Sequence, residues 1–367
     1  MMRKPYYTYI KNQTRKSLRL AYRPPRAVLS ADWGAIMFDA FTNGLGLGLT
    51  NLIQPAVLFF ALGLIAALVR SDLGLPGTAA KNLSLFLMLC IGFKGGVEAR
   101  LHGLDAGFLT AASLGLGLSL TMPLAAFALL RWAGLDRLNA AATAAYYGSV
   151  SVVTFAAAQT YLASTGMVTN GYMSAVLAVM ETPAILTGLW LASRGGGAKL
   201  KSGEASKGIW SHVFFNGASL LLVGSFVIGM ITGKPGGEKL AVFTGPLFQG
   251  ALCLFLLDLG INVASFWRSA HTIRPAALGM AIILPLMGAS LGAASAHALG
   301  LPLNDATLIA ILAGSASYIA APAAMQLALP KADSALSLTL ALGISFPFNL
   351  LLGIPLYTIM VSSLYGG

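Results

Sequence analysis

Gly148-Ser149-Val150-Ser151-Val152-Val153-Thr154 and its echo Gly314-Ser315-Ala316-Ser317-Tyr318-Ile319-Ala320 decide how this chain is read. Each stretch interrupts a long apolar segment with small hydroxyl residues, and Gly314 follows Gly148 at an offset of 166. Irregular backbone survives inside an apolar slab only where protein buries it or a wet cavity reaches it. Two such interruptions in corresponding places of two halves therefore mark the region where a solute would bind. Small residues that merely let helices approach closely explain one such segment well; they explain a symmetric pair poorly.

Working outward, composition fixes the solvent. The 367 residues are 57% hydrophobic and 10% charged, with a mean hydropathy of +0.78. A water-facing surface carries roughly a quarter or more charged residues, which this chain cannot supply. It reads as an all-α polytopic membrane protein. Cys90 and Cys253 both lie in apolar segments without a second cysteine or histidine at ligand spacing, so neither a disulfide framework nor a metal site is indicated.

Runs of roughly 20 apolar residues predict ten spans. They fall at 52–69, 80–97, 106–131, 138–163, 171–193, 211–232, 243–266, 273–299, 303–329 and 333–363. The polar stretch 194–210 divides them into a first five-helix repeat, 52–193, and a second, 211–367. Five is odd, so the second set enters the membrane in the opposite sense, as in an inverted-topology repeat with broken fourth and ninth helices. The halves match in order. Leu138-Asn139 answers Leu303-Asn304, Glu181-Thr182-Pro183 answers Ser345-Phe346-Pro347, and Lys94-Gly95-Gly96-Val97 answers Asp258-Leu259-Gly260-Ile261, at offsets of 164 to 166.

Loop charge sets the orientation. Loops after odd-numbered spans carry eleven basic residues against three after even-numbered ones, which places the odd loops in the cytoplasm and both termini outside. Residues 1–36 conflict with this, holding eight basic residues and no apolar core. Either the tail stays inside and the span count is off by one, or, the favoured reading, the working protein begins at Met37, so that 1–51 is a basic tail and lead-in. Without residues 1–36 the chain has 15 basic and 11 acidic residues, and no nucleic-acid partner is implied.

Helices broken at mid-depth present free N–H groups and a positive dipole end to a small anion. Gly148, Ser149, Ser151, Gly314, Ser315, Ser317 and Tyr318 are the expected substrate-binding residues, and Thr154 with Glu181 the expected cation-binding ones. Pro322 strengthens the second break, because it cannot donate to the helix ladder. Charges inside spans are rare and are usually functional or paired. Lys94 and Asp258 occupy equivalent repeat positions and form a candidate intramembrane pair. His102, His212, His271 and His297 lie near span ends with no ligand spacing.

Ile91-Gly92-Phe93-Lys94-Gly95-Gly96, the Gly148-Ser149-x-Ser151 break, the Glu181-Thr182-Pro183-Ala184 step and Ser315-x-Ser317-Tyr318-Ile319-x-x-Pro322 together resemble the sodium-dependent bicarbonate transporter family best known from cyanobacteria. The resemblance runs from about Leu52 to Gly367. It implies a Na+/bicarbonate symporter of ten helices in two inverted repeats, a core domain moving against a gate domain, Na+ as coupling ion and a homotrimer. Cyanobacterial members are also held in check by a PII-like protein, against which the short 194–210 loop argues here. They carry an acidic residue where this chain has Tyr318, and further hydroxyl, Gly and Pro residues where it has Ala316, Ala320 and Ala321.

The expected function is therefore secondary active transport of bicarbonate with Na+ across a bacterial plasma membrane. The alternatives are another small anion or carboxylate, with Glu181 carrying a proton, or a passive channel. A membrane-embedded enzyme would need a clustered nucleophile, acid–base pair or metal set, and the sequence shows none.

Overall fold

A computed structural model describes residues 52–103, 105–194, 217–270 and 273–366. All belong to one unit of the chain, Leu47–Gly367. The basic tail, the Met37 start and most of the 194–210 linker lie outside the described residues. The structure is 82% helix. The order is α1 Pro55–Leu68, α2 Gly77–His102, α3 Ala106–Trp132, α4 Arg137–Gly148, α5 Val152–Ser164, α6 Met173–Glu181, α7 Pro183–Ser193, α8 Gly217–Lys239, α9 Ala241–Thr244, α10 Pro246–Ser269, α11 Pro275–Ala298, α12 Leu303–Ala313 and α13 Ala320–Ala328. The last helix, α14, runs over Ser334–Leu364 and contains two π-helical stretches, Thr339–Ser345 and Asn349–Gly353.

The helix boundaries have local causes. Asp105, Asp136, Ser151 and Asp333 cap α3, α4, α5 and α14 by accepting from backbone N–H groups in the first turn, which satisfies donors that have no intrahelical partner. Proline stands in the first turn of α1, α7, α10 and α11, where its missing N–H costs nothing. Within α8, Gly233 at φ 54° and ψ −149° kinks the helix two residues before Pro235.

Among the described residues eight helical segments are long and apolar enough to cross a membrane; Pro55–Leu68 and Leu303–Ala313 are apolar but shorter. The expectation of ten full-length spans is thus met by eight. At 1.5 Å per residue the 14 residues of α1 reach about 21 Å, short of a ~30 Å hydrocarbon layer. The ninth segment is cut short by its own break at Gly314.

Small residues decide how the outer helices meet. A Cβ on Gly63 would run into the Leu257 carbonyl, and one on Gly260 into the Phe60 carbonyl, so α1 and α10 touch backbone to backbone. Gly96 against Phe226 and Gly229 against Phe93 do the same for α2 and α8. Such contacts drive association where lipid removes the hydrophobic gradient between helices. The centre is different. The apolar window of Arg137–Ser164 is 100% buried, against 28% for Leu220–Lys239, so the first broken segment is enclosed by protein while α8 faces outward.

Candidate functional site

The fourth apolar segment breaks at Ser149–Ser151 and the ninth at Gly314–Ile319, and both interruptions are buried. Ser149 and Ser151 are extended, at φ −82° and φ −103°. The chain then re-enters a helix at α5, where Ser151 Oγ accepts from the Thr154 amide at 3.1 Å and from Thr154 Oγ1 at 2.9 Å. After the second break Ser317 Oγ accepts from the Ala321 amide at 3.2 Å, one turn into α13. Ser151 is thus the N-cap of α5, whereas the N-cap position of α13 is Ile319 and Ser317 reaches the first turn from two residues upstream.

The two breaks cross. The Ser151 amide donates to Ser315 Oγ at 3.0 Å, and the Ser317 amide donates to the Tyr146 carbonyl at 2.8 Å. The last turn of α4 and the second break thus supply acceptors for the Ser317 and Ser151 amides, which removes a penalty of roughly 1–3 kcal/mol for each buried amide left unpaired. Around the crossing, Met88, Val150, Ser151, Val152, Glu181, Ser317, Tyr318, Ile319 and Ala320 line a cavity of about 10 Å³, room for one water-sized species. The N-termini of α5 and α13 both end on it, so two positive dipole ends converge there.

Tyr318 is 8% exposed, with its ring packed edge-on against Phe346 at 5.2 Å. Its hydroxyl approaches Ser151 but makes no well-formed hydrogen bond. Buried hydroxyls normally find a partner, which sets this one apart from the hydroxyls around it.

The fifth segment steps at Thr182-Pro183. Ser149 Oγ donates to the Glu181 carbonyl at 2.9 Å. Ser119 of α3 is inserted into the ladder, donating to the Met180 carbonyl at 2.6 Å and accepting from the Ala184 amide at 3.2 Å. Pro183 has no N–H to give, and the two serines take up the backbone groups that its step disturbs. The second break is tied down from α14. Asn349 Nδ2 donates to the Gly314 carbonyl at 2.8 Å, and Tyr357 donates to Asn349 Oδ1 at 2.7 Å.

Of the sequence-predicted residues, Ser151, Ser317, Tyr318 and Glu181 meet at the cavity. Ser149, Ser315 and Thr154 lie one hydrogen bond behind it, and Gly148 and Gly314 end the preceding helices. The candidate Lys94–Asp258 pair does not form: no ion pair joins these two residues among the described ones. Lys94 is exposed on α2, whereas Asp258 is buried and bound to Asn262 Nδ2 at 3.0 Å and to the Leu75 amide. A matching offset in sequence does not make two positions neighbours in space. Met88, Ser119 and Asn349 escaped the sequence reading, and Ser345 was read only as the repeat partner of Glu181; Asn349 carried a usable signal, a carboxamide deep in an apolar run.

Among the described residues no three His, Cys, Asp or Glu side chains cluster into a group that could hold a metal ion. A model of the Na+-dependent bicarbonate transporter superfamily matches residues 55–362, which includes both breaks and the Glu181 step. The chain belongs to that superfamily. Among curated proteins no sequence matches it. Family and apolar helices together make it a multi-pass membrane protein of a transporter superfamily.

Proposed function

We propose that the chain is a secondary transporter that moves bicarbonate with Na+ across the plasma membrane by alternating access. Its frame is two inverted five-helix repeats, 52–193 and 211–367. What supports the repeat is that contacts survive exchange of the halves. The pair α2 and α8 exchanges with α10 and α1, and the pair α3 and α4 exchanges with α11 and α12, while α3 meets α11 and α2 meets α10. Packing glycines follow the same rule, Gly63 with Gly229 and Gly96 with Gly260, at offsets of 166 and 164. So do the prolines inside α3 and α11, Pro123 and Pro285, each pressed on the glycine that ends the next helix.

The observation that carries the reading is the crossing of two buried helix breaks at one cavity. Helix N-termini, the spare Tyr318 hydroxyl and the Ser151 hydroxyl as donor suit the oxygens of a small planar anion, and Ser317, whose oxygen accepts from the Ala321 amide, suits its hydroxyl proton. Glu181 at the same cavity supplies the reason for coupling. Two like charges about 6 Å apart repel by about 3 kcal/mol at an effective dielectric near 20. A Na+ bound beside Glu181 and Thr154 cancels that repulsion, so each ion raises the affinity for the other by up to ~150-fold. A cavity of about 10 Å³ is too small for bicarbonate, so loading requires that the walls around α5 and α13 part.

The decisive experiment is labelled bicarbonate uptake by the purified chain in liposomes, with and without an inward Na+ gradient. Saturable uptake that vanishes when Na+ is replaced, and that falls in Ser151→Ala and Ser317→Ala with folding intact, supports the proposal. Uptake driven equally by a proton gradient would assign the coupling to Glu181 protonation instead. Non-saturable flux, or unchanged uptake in both variants, would remove it.

A further inference from the structure

The two π-helical stretches of α14 coincide with the residues that reach the two breaks. Ser345, which closes the first stretch, pairs with Tyr147, one residue before Gly148, at 2.8 Å. Asn349, which opens the second, holds the Gly314 carbonyl. A π-turn carries 4.4 or so residues instead of 3.6 and so rotates the following side chains off the regular helical face; such insertions recur at functional sites. In α14 the rotation directs a hydroxyl and a carboxamide into the buried core, at 0% and 1% exposure.

Asn349 is fixed in one sense only. Its amide must present nitrogen to the Gly314 carbonyl, because that oxygen only accepts, and Tyr357 hydroxyl donates to the other end. The chain Tyr357, Asn349, Gly314 therefore runs donor to acceptor, ending on the backbone where α12 stops and Ser315 turns across to Ser151. A further contact closes the unit, since a Cβ on Gly314 would lie 3.1 Å from Tyr357 Cε2. The corresponding place in the first half is occupied by a different device, Ser119 and Ser149 on the Met180 and Glu181 carbonyls.

We infer that Asn349, oriented by Tyr357, is a positioning residue for transport: it sets the Gly314 carbonyl and hence the register in which Ser315 and Ser317 meet the first break. This rests on the reading of the crossed breaks as the transport site. Its effect passes through backbone geometry, so it alters how well the ions bind rather than how much protein folds.

The test is uptake kinetics in liposomes for Asn349→Leu, which keeps the volume and removes both hydrogen bonds, and for Tyr357→Phe, which leaves the amide free to turn. The expected result is a rise of about tenfold in the KM for bicarbonate or Na+ with Asn349→Leu. A smaller rise follows with Tyr357→Phe, and the double variant is no worse than Asn349→Leu alone. If Asn349→Leu does not assemble, Tyr357→Phe carries the test, since it removes one hydroxyl. Unchanged KM in the folded variants, with Ser151→Ala impaired, overturns this inference alone. Unchanged KM in Ser151→Ala as well overturns the site on which it rests.

Discussion

Replacing Ser315 by alanine removes one oxygen from the crossing and nothing else. Ser315 Oγ accepts from the Ser151 amide at 3.0 Å and donates to the Leu312 carbonyl at 2.8 Å. The carbonyl keeps a partner, because the Ser315 amide also donates to it at 3.0 Å. The Ser151 amide, in a residue that is 3% exposed, loses that acceptor. Leaving a buried donor unsatisfied costs about 1–3 kcal/mol, a factor of ~5 to ~150 in an equilibrium constant. The adjacent cavity admits a water-sized species, which can satisfy the stranded amide and places the cost near the lower end. We therefore expect Ser315→Ala to weaken apparent ion affinity by roughly fivefold and to lower the thermal midpoint of the detergent-solubilised protein, whereas Ser315→Thr, which keeps the oxygen, stays near the wild type. The assay is uptake kinetics beside a melting curve followed by size-exclusion chromatography. If Ser315→Ala matches the wild type in both, the crossing hydrogen bond does not hold the breaks together and the argument built on it fails.

Three further outcomes follow from the geometry. Tyr318→Phe removes a hydroxyl that has no well-formed partner, so stability should hold or rise while apparent anion affinity drops; a lower melting point with unchanged affinity would make Tyr318 a packing residue only. Gly260→Ala drives a Cβ into the Phe60 carbonyl and should cost about 1–3 kcal/mol of overpacking, measured as folded yield, whereas Gly250→Ala, which has open space around it, should be neutral or better. At Asp136, burial pushes the carboxyl up, but hydrogen bonds from the Asn139 amide and side chain and from the Leu138 amide outweigh it and hold the group below its ordinary value of 3.8. A depressed carboxyl contributes stability above its unfolded value and loses it as pH falls through the lower folded one, so the difference in melting point between wild type and Asp136→Asn should shrink as pH drops below about 4, and a gap that is constant from pH 7 to pH 3 would exclude this charge effect.

The likeness of the halves was readable because it rests on local chemistry. Gly-Ser-x-Ser occurs twice inside an apolar segment, at Gly148 and Gly314, and Pro183 and Pro322 have no N–H to give a helix ladder. The register of one helix against another was not readable. Ser119 is one small hydroxyl among many in apolar segments, and only the packing of α3 on the Met180–Ala184 step gives it a task. Lys94 and Asp258 illustrate the reverse: their offset matched, yet Lys94 is turned outward while Asp258 binds Asn262 and the Leu75 amide.

Sequence by itself determined the solvent, the helical class, the positions of the apolar segments and the two breaks, since each follows from hydrophobicity over roughly 20 residues or from backbone chemistry within a few. Only the tertiary structure decided that the breaks cross, that Ser315 and Tyr146 satisfy Ser151 and Ser317, and that α14 departs into π-helix to bring Ser345 and Asn349 inward. Those contacts join residues as far as 198 positions apart, and an unpaired amide's need for an acceptor does not say from which distant segment the acceptor comes.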